Sequence, residues 1–179
     1  DAPVSRMEAR AIDATLTIMC RGDEKCYMKT LPLFECIANN IQYMGTHGNG
    51  QLTKLINQLL FDINVAALAE ILPLSVKMGL DPEKVEKVIN SGTGRSYASE
   101  FFIPRILKGN FDEGYPMIHA YKDIISGVEL GVNEGIPLPV LAAAATTYQL
   151  ALKKDIGNES KAAMIKVYED LLSVEYRIK

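Results

Sequence analysis

The sequence is poor in the residues that mark several common protein classes. Its three cysteines, Cys20, Cys26 and Cys36, form no C-x-x-C pair, and both histidines lie far from them. An odd number of closely spaced cysteines argues against a disulfide framework, and the spacing does not match a zinc site. The sequence therefore predicts reduced thiols in a cytoplasmic protein and no metal site.

Long runs of charge or of apolar residues are also missing. Charged residues make up 23% of the chain, the formal net charge is -3, and like charges do not cluster, which argues against nucleic acid or an anionic membrane as a partner. The apolar stretch 59–74 is interrupted by Asp62, Asn64 and Glu70, and the stretch 136–152 by two early prolines. Neither is predicted to span a membrane. With no signal-type segment and no initial methionine, we expect the chain to be part of a longer protein.

Residues 1–45 mix strand and helix patterns. Alternation over 15–20 predicts a strand, Asp23 is placed to cap a helix over about 24–37, and 41–44 suits one more short strand. This is too little material for a stable sheet domain. We therefore expect the strands to pair between copies or to be locally disordered.

Helical spacing dominates residues 46–179. A long helix is predicted from about residue 52 to Met78, where Gly79 ends it, and Pro73 is expected to bend or break it. Further helices are predicted over about 82–90, 97–108, 116–133, 139–154 and 159–174, with a turn at 91–96. The predicted fold is mainly α: a helical domain (46–179) joined by one long helix to a short residual α/β segment (1–45).

The start of the long helix carries polar residues although the helix is apolar enough to be buried. Lys54 precedes Asn57 by three residues and Gln58 by four, so the three side chains can converge. A buried lysine is costly unless paired or neutral, which makes Lys54 a candidate for chemistry. The alternative is a solvated face on which Lys54, Gln58 and Asp62 meet water. Glycines at 45, 48 and 50 favour the first interpretation, because they allow a close approach to a ligand.

Lys54 and its neighbouring amides suit one kind of reaction. A lysine in a partly dry pocket can give a proton to a carbonyl oxygen and take it back in the reverse direction. An amide beside it, from Asn57 or Gln58, can fix the substrate oxygen without adding charge. These groups suit the interconversion of an alcohol and a carbonyl with hydride from a cofactor, although no G-x-G-x-x-G follows a strand.

A second polar group lies in the helix that is predicted to begin near residue 116. His119 and Lys122 share a face of this helix, and Asp123 can orient either side chain. The alternative is ordinary surface charge, with Asp123 favoured by the early turns of the helix.

Three segments stand in a recognisable order: Asp1-Ala2-Pro3-Val4-Ser5, then Gly48-x-Gly50-x-x-x-Lys54-x-x-Asn57, then Lys122-Asp123. Together they resemble the β-hydroxyacid dehydrogenase family, which contains 3-hydroxyisobutyrate dehydrogenase and tartronate semialdehyde reductase. The family is related to 6-phosphogluconate dehydrogenase. The resemblance implies a 6-phosphogluconate dehydrogenase-like C-terminal helical domain, which also forms homo-oligomers.

The resemblance also implies roles for individual residues. Lys54 looks like the family's catalytic lysine, the acid and base for the substrate oxygen, and Asn57 like its companion amide. Ser5 falls in the segment that binds the substrate carboxylate, and Gln58 is expected to bind substrate beside it. Lys122, with Asp123, looks like the lysine that reaches the nicotinamide cofactor, NAD or NADP. The implied function is the interconversion of a small 3-hydroxyacid and its semialdehyde.

Two departures from the family pattern bear on this interpretation. The family continues its first motif with Gly-Gly, whereas this chain has Arg6-Met7, and Arg6 is expected to offer its guanidinium to the substrate acid. Most of the dinucleotide-binding domain is also missing before Asp1, so we expect this chain alone to be inactive. The alternative, from another class, is a naturally truncated, non-catalytic helical dimerisation module.

Overall fold

A computed structural model describes residues 1–45 and 48–178 of the chain, so His47 lies outside the described residues. The chain separates into two compact units, Asp1–Gln58 and Leu59–Lys179. The helical fold class predicted from the sequence is confirmed, with eight α-helices and one three-stranded sheet among the described residues.

The first unit is built on a small sheet. Its elements are β1 (Val4–Ser5), α1 (Met7–Ile12), β2 (Leu16–Cys20), α2 (Glu24–Glu35), β3 (Ala38–Tyr43) and the start of α3 (Asn49–Lys77). Strand β2 is central, antiparallel to β1 and parallel to β3. The cap at Asp23 is confirmed, since its Oδ1 accepts from the Cys26 amide at 2.9 Å.

The strands are not orphaned, so the expectation of local disorder is wrong for them, while pairing between copies stays a prediction. They pair with one another and enclose a core of their own, formed by Leu16, Ile18, Cys20 and Ala38. Stacking of the Tyr27 and Tyr43 rings, 4.8 Å apart, adds to it. The sequence did not indicate this sheet because β1 is only two residues long and α1, a six-residue helix, was not predicted.

The start of α3 lies directly on the sheet. A Cβ added at Gly50 would meet the Met19 carbonyl oxygen at 2.6 Å and a carboxylate oxygen of Asp1 at 2.9 Å. The glycine therefore permits the helix to approach the protein's own strand, rather than a ligand as the sequence suggested. Gly45 and Gly48 have φ values of 80° and 76°, and both turn the chain into the helix.

The named elements of the second unit are all helical among its described residues, apart from an isolated bridge between Pro116 and Ser160. The unit contains the rest of α3, α4 (Pro82–Ser91), α5 (Tyr97–Leu107), α6 (Met117–Glu134), α7 (Pro139–Leu152), a 3-10 turn (Lys161–Met164) and α8 (Ile165–Leu172). The predicted signals hold: Asp81 caps α4, and Gly135, with a φ of 67°, ends α6. The predicted last helix divides into the 3-10 turn and α8.

Helix α3 continues through Pro73, so the break that this proline predicts does not occur. Pro73 and its neighbour Leu72 are buried, and core packing compensates for the missing backbone donor. By length and composition α3 could cross a membrane, a test that core helices of soluble proteins also pass. Its Asp62 is paired in the interior of the second unit, which favours a core helix.

The C-terminal segment after α8 is tied into the second unit. Tyr176 is fully buried, and its hydroxyl donates to the Pro82 carbonyl at 2.9 Å. Glu169 accepts from the Tyr176 amide at 2.8 Å and from both terminal nitrogens of Arg177 at 2.6 and 3.0 Å. These contacts join residues 94 positions apart in the sequence to one core.

Candidate active site

Four polar side chains of the first unit meet beside β1, and we call them the open cluster: Ser5, Lys54, Asn57 and Gln58. Asn57 Nδ2 donates to Ser5 Oγ at 3.3 Å. Gln58 Oε1 accepts from Lys54 Nζ at 3.2 Å and lies 3.5 Å from Asn57 Nδ2. The structure thus brings the three residues of α3 together, with Ser5 joining them from 52 positions upstream.

Local structure explains how the open cluster forms. Spacings of three and four residues place the α3 side chains on one face. Ser5 ends β1, opposite Thr17 of β2, so the sheet fixes where its hydroxyl stands. A lysine, two amides and a hydroxyl provide both donors and acceptors for a polar ligand.

The open cluster is more accessible than the sequence suggested. Lys54 and Gln58 are half-buried and Asn57 is exposed, while Leu52 and Ile56 on the same turns are 43% and 50% exposed. The expectation that the start of α3 is buried is therefore wrong. A half-buried lysine keeps part of its hydration and can still be reached by a substrate.

Arg6 follows Ser5 directly and has an unusual backbone. Its φ is 94°, beyond the left-handed region where Ala14, Asp155 and Ser173 lie with φ between 54° and 60°. Glycine adopts such a φ without strain, which matches the glycine that the family pattern has at this place. The Arg6 side chain is exposed.

Lys122 and Asp123 lie on α6 of the second unit, Lys122 exposed and Asp123 half-buried. The residues present do not make a complete dinucleotide site, because the sequence has no G-x-G-x-x-G after a strand to receive the pyrophosphate. Within the described part of the chain, no three metal-binding side chains lie together.

A second polar group, which we call the sealed cluster, consists of Asp62, Tyr148 and Lys161 of the second unit. Asp62 and Lys161 are 0% and 1% exposed, and Lys161 Nζ donates to Asp62 Oδ1 at 2.5 Å. The Tyr148 hydroxyl donates to the same oxygen at 3.2 Å. The Lys161 ammonium also lies 4.2 Å from the centre of the Phe61 ring.

The sealed cluster corrects one interpretation of the sequence. Asp62 was placed with Lys54 and Gln58 on a possible solvated face, yet it is buried and paired with a residue 99 positions away. The signal available in the sequence was an acid near the start of an apolar stretch, matched by a lysine before Ala162-Ala163-Met164-Ile165. A lone charge in such surroundings requires a partner.

Burial dominates the electrostatics of the sealed cluster. It raises the pKa of Asp62 above the ordinary 3.8, while the Lys161 charge and hydrogen bond act in the opposite direction. Burial, and then the Asp62 charge, raise the pKa of Tyr148 well above 10. Tyr148 is therefore a permanent donor. Asp62 Oδ2 has no hydrogen-bond partner among the described residues.

The two clusters differ in what they can do chemically. The open cluster can hold an oxygen between an ammonium and amides and exchange a proton with it. The sealed cluster has no accessible face among the described residues, and its groups already satisfy one another in part. The open cluster is therefore the candidate active site.

Comparison with known proteins gives two family matches that together cover most of the chain. Residues 48–168 match the family model described as NAD-binding of NADP-dependent 3-hydroxyisobutyrate dehydrogenase. Residues 1–45 match the NAD binding domain of 6-phosphogluconate dehydrogenase. The two matches meet close to the start of α3.

Similar proteins are oxidoreductases by name. The chain is 37% identical to 2-(hydroxymethyl)glutarate dehydrogenase of Eubacterium barkeri over 97% of its length and 58% of that protein. It is 30% identical to 2-hydroxy-3-oxopropionate reductase of Escherichia coli over 94% of its length and 58% of that protein. The crystal structure of 3-hydroxyisobutyrate dehydrogenase from Salmonella typhimurium superposes with a TM-score of 0.88 at 26% identity, covering 93% of this chain and 59% of that one. The chain spans about 58% of the length of these curated relatives.

Proposed function

The chain belongs to the β-hydroxyacid dehydrogenase family, and on that premise we propose that it contributes the proton-transfer site of an NAD(P)-dependent enzyme. The reaction proposed is the interconversion of a small 3-hydroxyacid and its semialdehyde. The observation that carries the proposal is the convergence of Ser5, Lys54, Asn57 and Gln58 in one cluster.

Lys54 is the general acid and base in this proposal. Protonated Lys54 gives its proton to the carbonyl oxygen during reduction and takes it back from the hydroxyl during oxidation. Gln58, bonded to Lys54 Nζ, holds the ammonium, and Asn57 donates to the substrate oxygen. The hydride belongs to the nicotinamide, NAD or NADP, which Lys122 and Asp123 contact in the assembled enzyme.

The substrate acid binds at the end of β1. The Ser5 hydroxyl, now bonded to Asn57, can turn to a carboxylate oxygen, and the Arg6 guanidinium follows it in sequence. The names of the relatives support this class of substrate, since 2-(hydroxymethyl)glutarate and 2-hydroxy-3-oxopropionate are both small acids with an oxygen to reduce or oxidise.

Replacement of Lys54 tests the proposal. We expect Lys54→Ala in the native protein to lose at least about a hundredfold of NAD(P)H-linked turnover of 2-(hydroxymethyl)glutarate, because the proton donor is gone. Lys77→Ala is the matched control, since Lys77 lies on the same helix, outside the open cluster, and donates to the Leu172 carbonyl at 3.1 Å. Unchanged turnover in Lys54→Ala would refute the assignment.

One observation favours the second candidate, a helical dimerisation module. Exposed apolar side chains follow one stripe of α3 in the second unit, at Leu60, Ile71 and Leu74. Such a stripe suits association of copies through the helical domain, which is compatible with either function. Light scattering of Ile71→Lys tests the association, and nicotinamide cofactor binding by the chain itself would contradict a purely structural role.

A further inference from the structure

Arg6 has a backbone conformation that residues other than glycine rarely adopt. A side chain at φ 94° is strained, because its Cβ approaches the adjacent carbonyl oxygen, and glycine would avoid the strain. Strained residues that persist in a fold point to a functional constraint. The arginine therefore provides something at this position that glycine cannot.

The guanidinium is available for a ligand. Among residues 1–45 and 48–178 no hydrogen bond or ion pair engages the Arg6 side chain. Arg10, one turn further along α1, shows the contrast, since its Nη1 lies 3.4 Å from Asp13 Oδ2. Arg6 is therefore a cation held beside Ser5 without a structural partner among these residues.

Arg6 directly follows Ser5 of the open cluster in the sequence, so its guanidinium is a second cation close to the cluster along the chain. Lys54 is one cation of the site, and Ser5, whose hydroxyl is 3.3 Å from Asn57, is the residue next to Arg6. A monoanionic substrate is matched by one cation and the polar groups around it. Two cations near one polar cluster are matched by two anionic groups.

Resting on the proposed function, we propose that Arg6 is a specificity-determining residue that selects substrates with a second anionic group, dicarboxylates in the first instance. Its planar guanidinium pairs with one carboxylate in a bidentate manner. The other carboxylate and the reacting oxygen remain with Ser5, Asn57 and Lys54. A glycine at this position gives no preference for a dianion.

Ligand titration tests this without turnover. Glutarate and butyrate are a dianion and a monoanion of similar length, and neither can be oxidised or reduced at the proposed site. We expect the chain to bind glutarate roughly tenfold more tightly than butyrate by NMR titration, as for one charge-assisted contact. Arg6→Gly, which relieves the strain, brings the ratio close to one by weakening glutarate alone, and Arg6→Lys retains part of it.

Arg10→Ala is the control and leaves the ratio unchanged. A glutarate preference that survives Arg6→Gly overturns the proposal, and so does a wild-type chain that does not bind glutarate more tightly than butyrate. The outcome is separate from that of the Lys54→Ala assay. A glutarate preference without turnover would refute the proposed enzymatic function and support the anion site at Arg6. Turnover without the preference would support the enzymatic function and refute the anion site.

Discussion

Lys54 and Lys161 belong to polar clusters that both use helix α3, and they are held in opposite ways. In the open cluster the lysine is half-buried and its bonded neighbour Gln58 is neutral. In the sealed cluster the lysine is 1% exposed and pairs with the Asp62 carboxylate. A lysine that exchanges protons with a ligand has to be reachable, whereas a lysine removed from water has to be paired.

The largest effect is expected from Lys161→Met. Removing the ammonium leaves the buried Asp62 carboxylate without its counter-charge, which costs about 3–5 kcal/mol in the free energy of unfolding at neutral pH. The charge and the hydrogen bond of Lys161 lower the pKa of Asp62, so without them this pKa lies further above 3.8. A raised carboxyl pKa in the folded state means that the variant loses stability as pH rises through it.

Denaturant unfolding at about pH 4 and about pH 7 measures this loss. We expect a smaller deficit at the lower pH, because the raised pKa of Asp62 leaves a larger fraction of the carboxyl protonated and less unpaired charge there. An equal deficit at both values would mean that lost packing, not the uncompensated carboxylate, weakens the variant.

Next in size is the recovery in Asp62→Leu/Lys161→Met. Replacing both members with apolar side chains removes the desolvation cost together with the attraction, so the double variant should regain about 3 kcal/mol relative to Lys161→Met. A double-mutant cycle with Asp62→Leu gives the coupling energy. A double variant no more stable than Lys161→Met would show that the pair contributes more than an apolar replacement can.

Tyr148→Phe tests the third member of the sealed cluster. The hydroxyl donates to Asp62 Oδ1 at 3.2 Å, and its removal should cost about 1.5 kcal/mol, as for a hydrogen bond to a charged group. Tyr168→Phe is the control, because its hydroxyl meets only the neutral Thr147 Oγ1, at 3.3 Å. If the two variants lose equal free energy of unfolding, measured by heat or denaturant, the Tyr148 hydroxyl does not bond to a charged Asp62.

Arg6→Gly should stabilise the first unit by about 1 kcal/mol, since it releases the strain at φ 94°. The same change removes the preference for dianions that we propose, so stability and specificity oppose each other at this residue. Arg10→Gly, in the interior of α1, should instead cost about 1 kcal/mol. Destabilisation by Arg6→Gly would mean that the arginine side chain supports the fold.

The smallest effect is expected from Lys54→Met, the same substitution as in Lys161→Met. A half-buried lysine keeps part of its hydration, and methionine retains the apolar stem of the side chain, so stability should change by no more than about 0.5 kcal/mol while turnover is lost. Unfolding curves of the two lysine variants, measured side by side, test the comparison. A loss near that of Lys161→Met would show that the open cluster is also structural.

Local signals in the sequence predicted much of the fold. Caps, prolines and helical spacing predicted the bounds of α4 to α7 within a few residues. The spacing of Lys54, Asn57 and Gln58 predicted that their side chains converge. What depends on distant residues did not follow from local patterns: Ser5 was assigned to the site of Asn57 only through the family resemblance, and the pairing of Asp62 with Lys161 was missed. No local pattern reports a partner 99 positions away, and the strain at Arg6 arises only when the backbone is fixed.

The C-terminal segment has a consequence for the order of events during synthesis. Tyr176 completes the core of the second unit and bonds to Pro82, a residue made 94 positions earlier. The helices between them can form as they emerge, but the core closes only after Tyr176 has left the ribosome. We expect chains stalled before residue 174 to remain sensitive to protease in the second unit, while the first unit is already resistant.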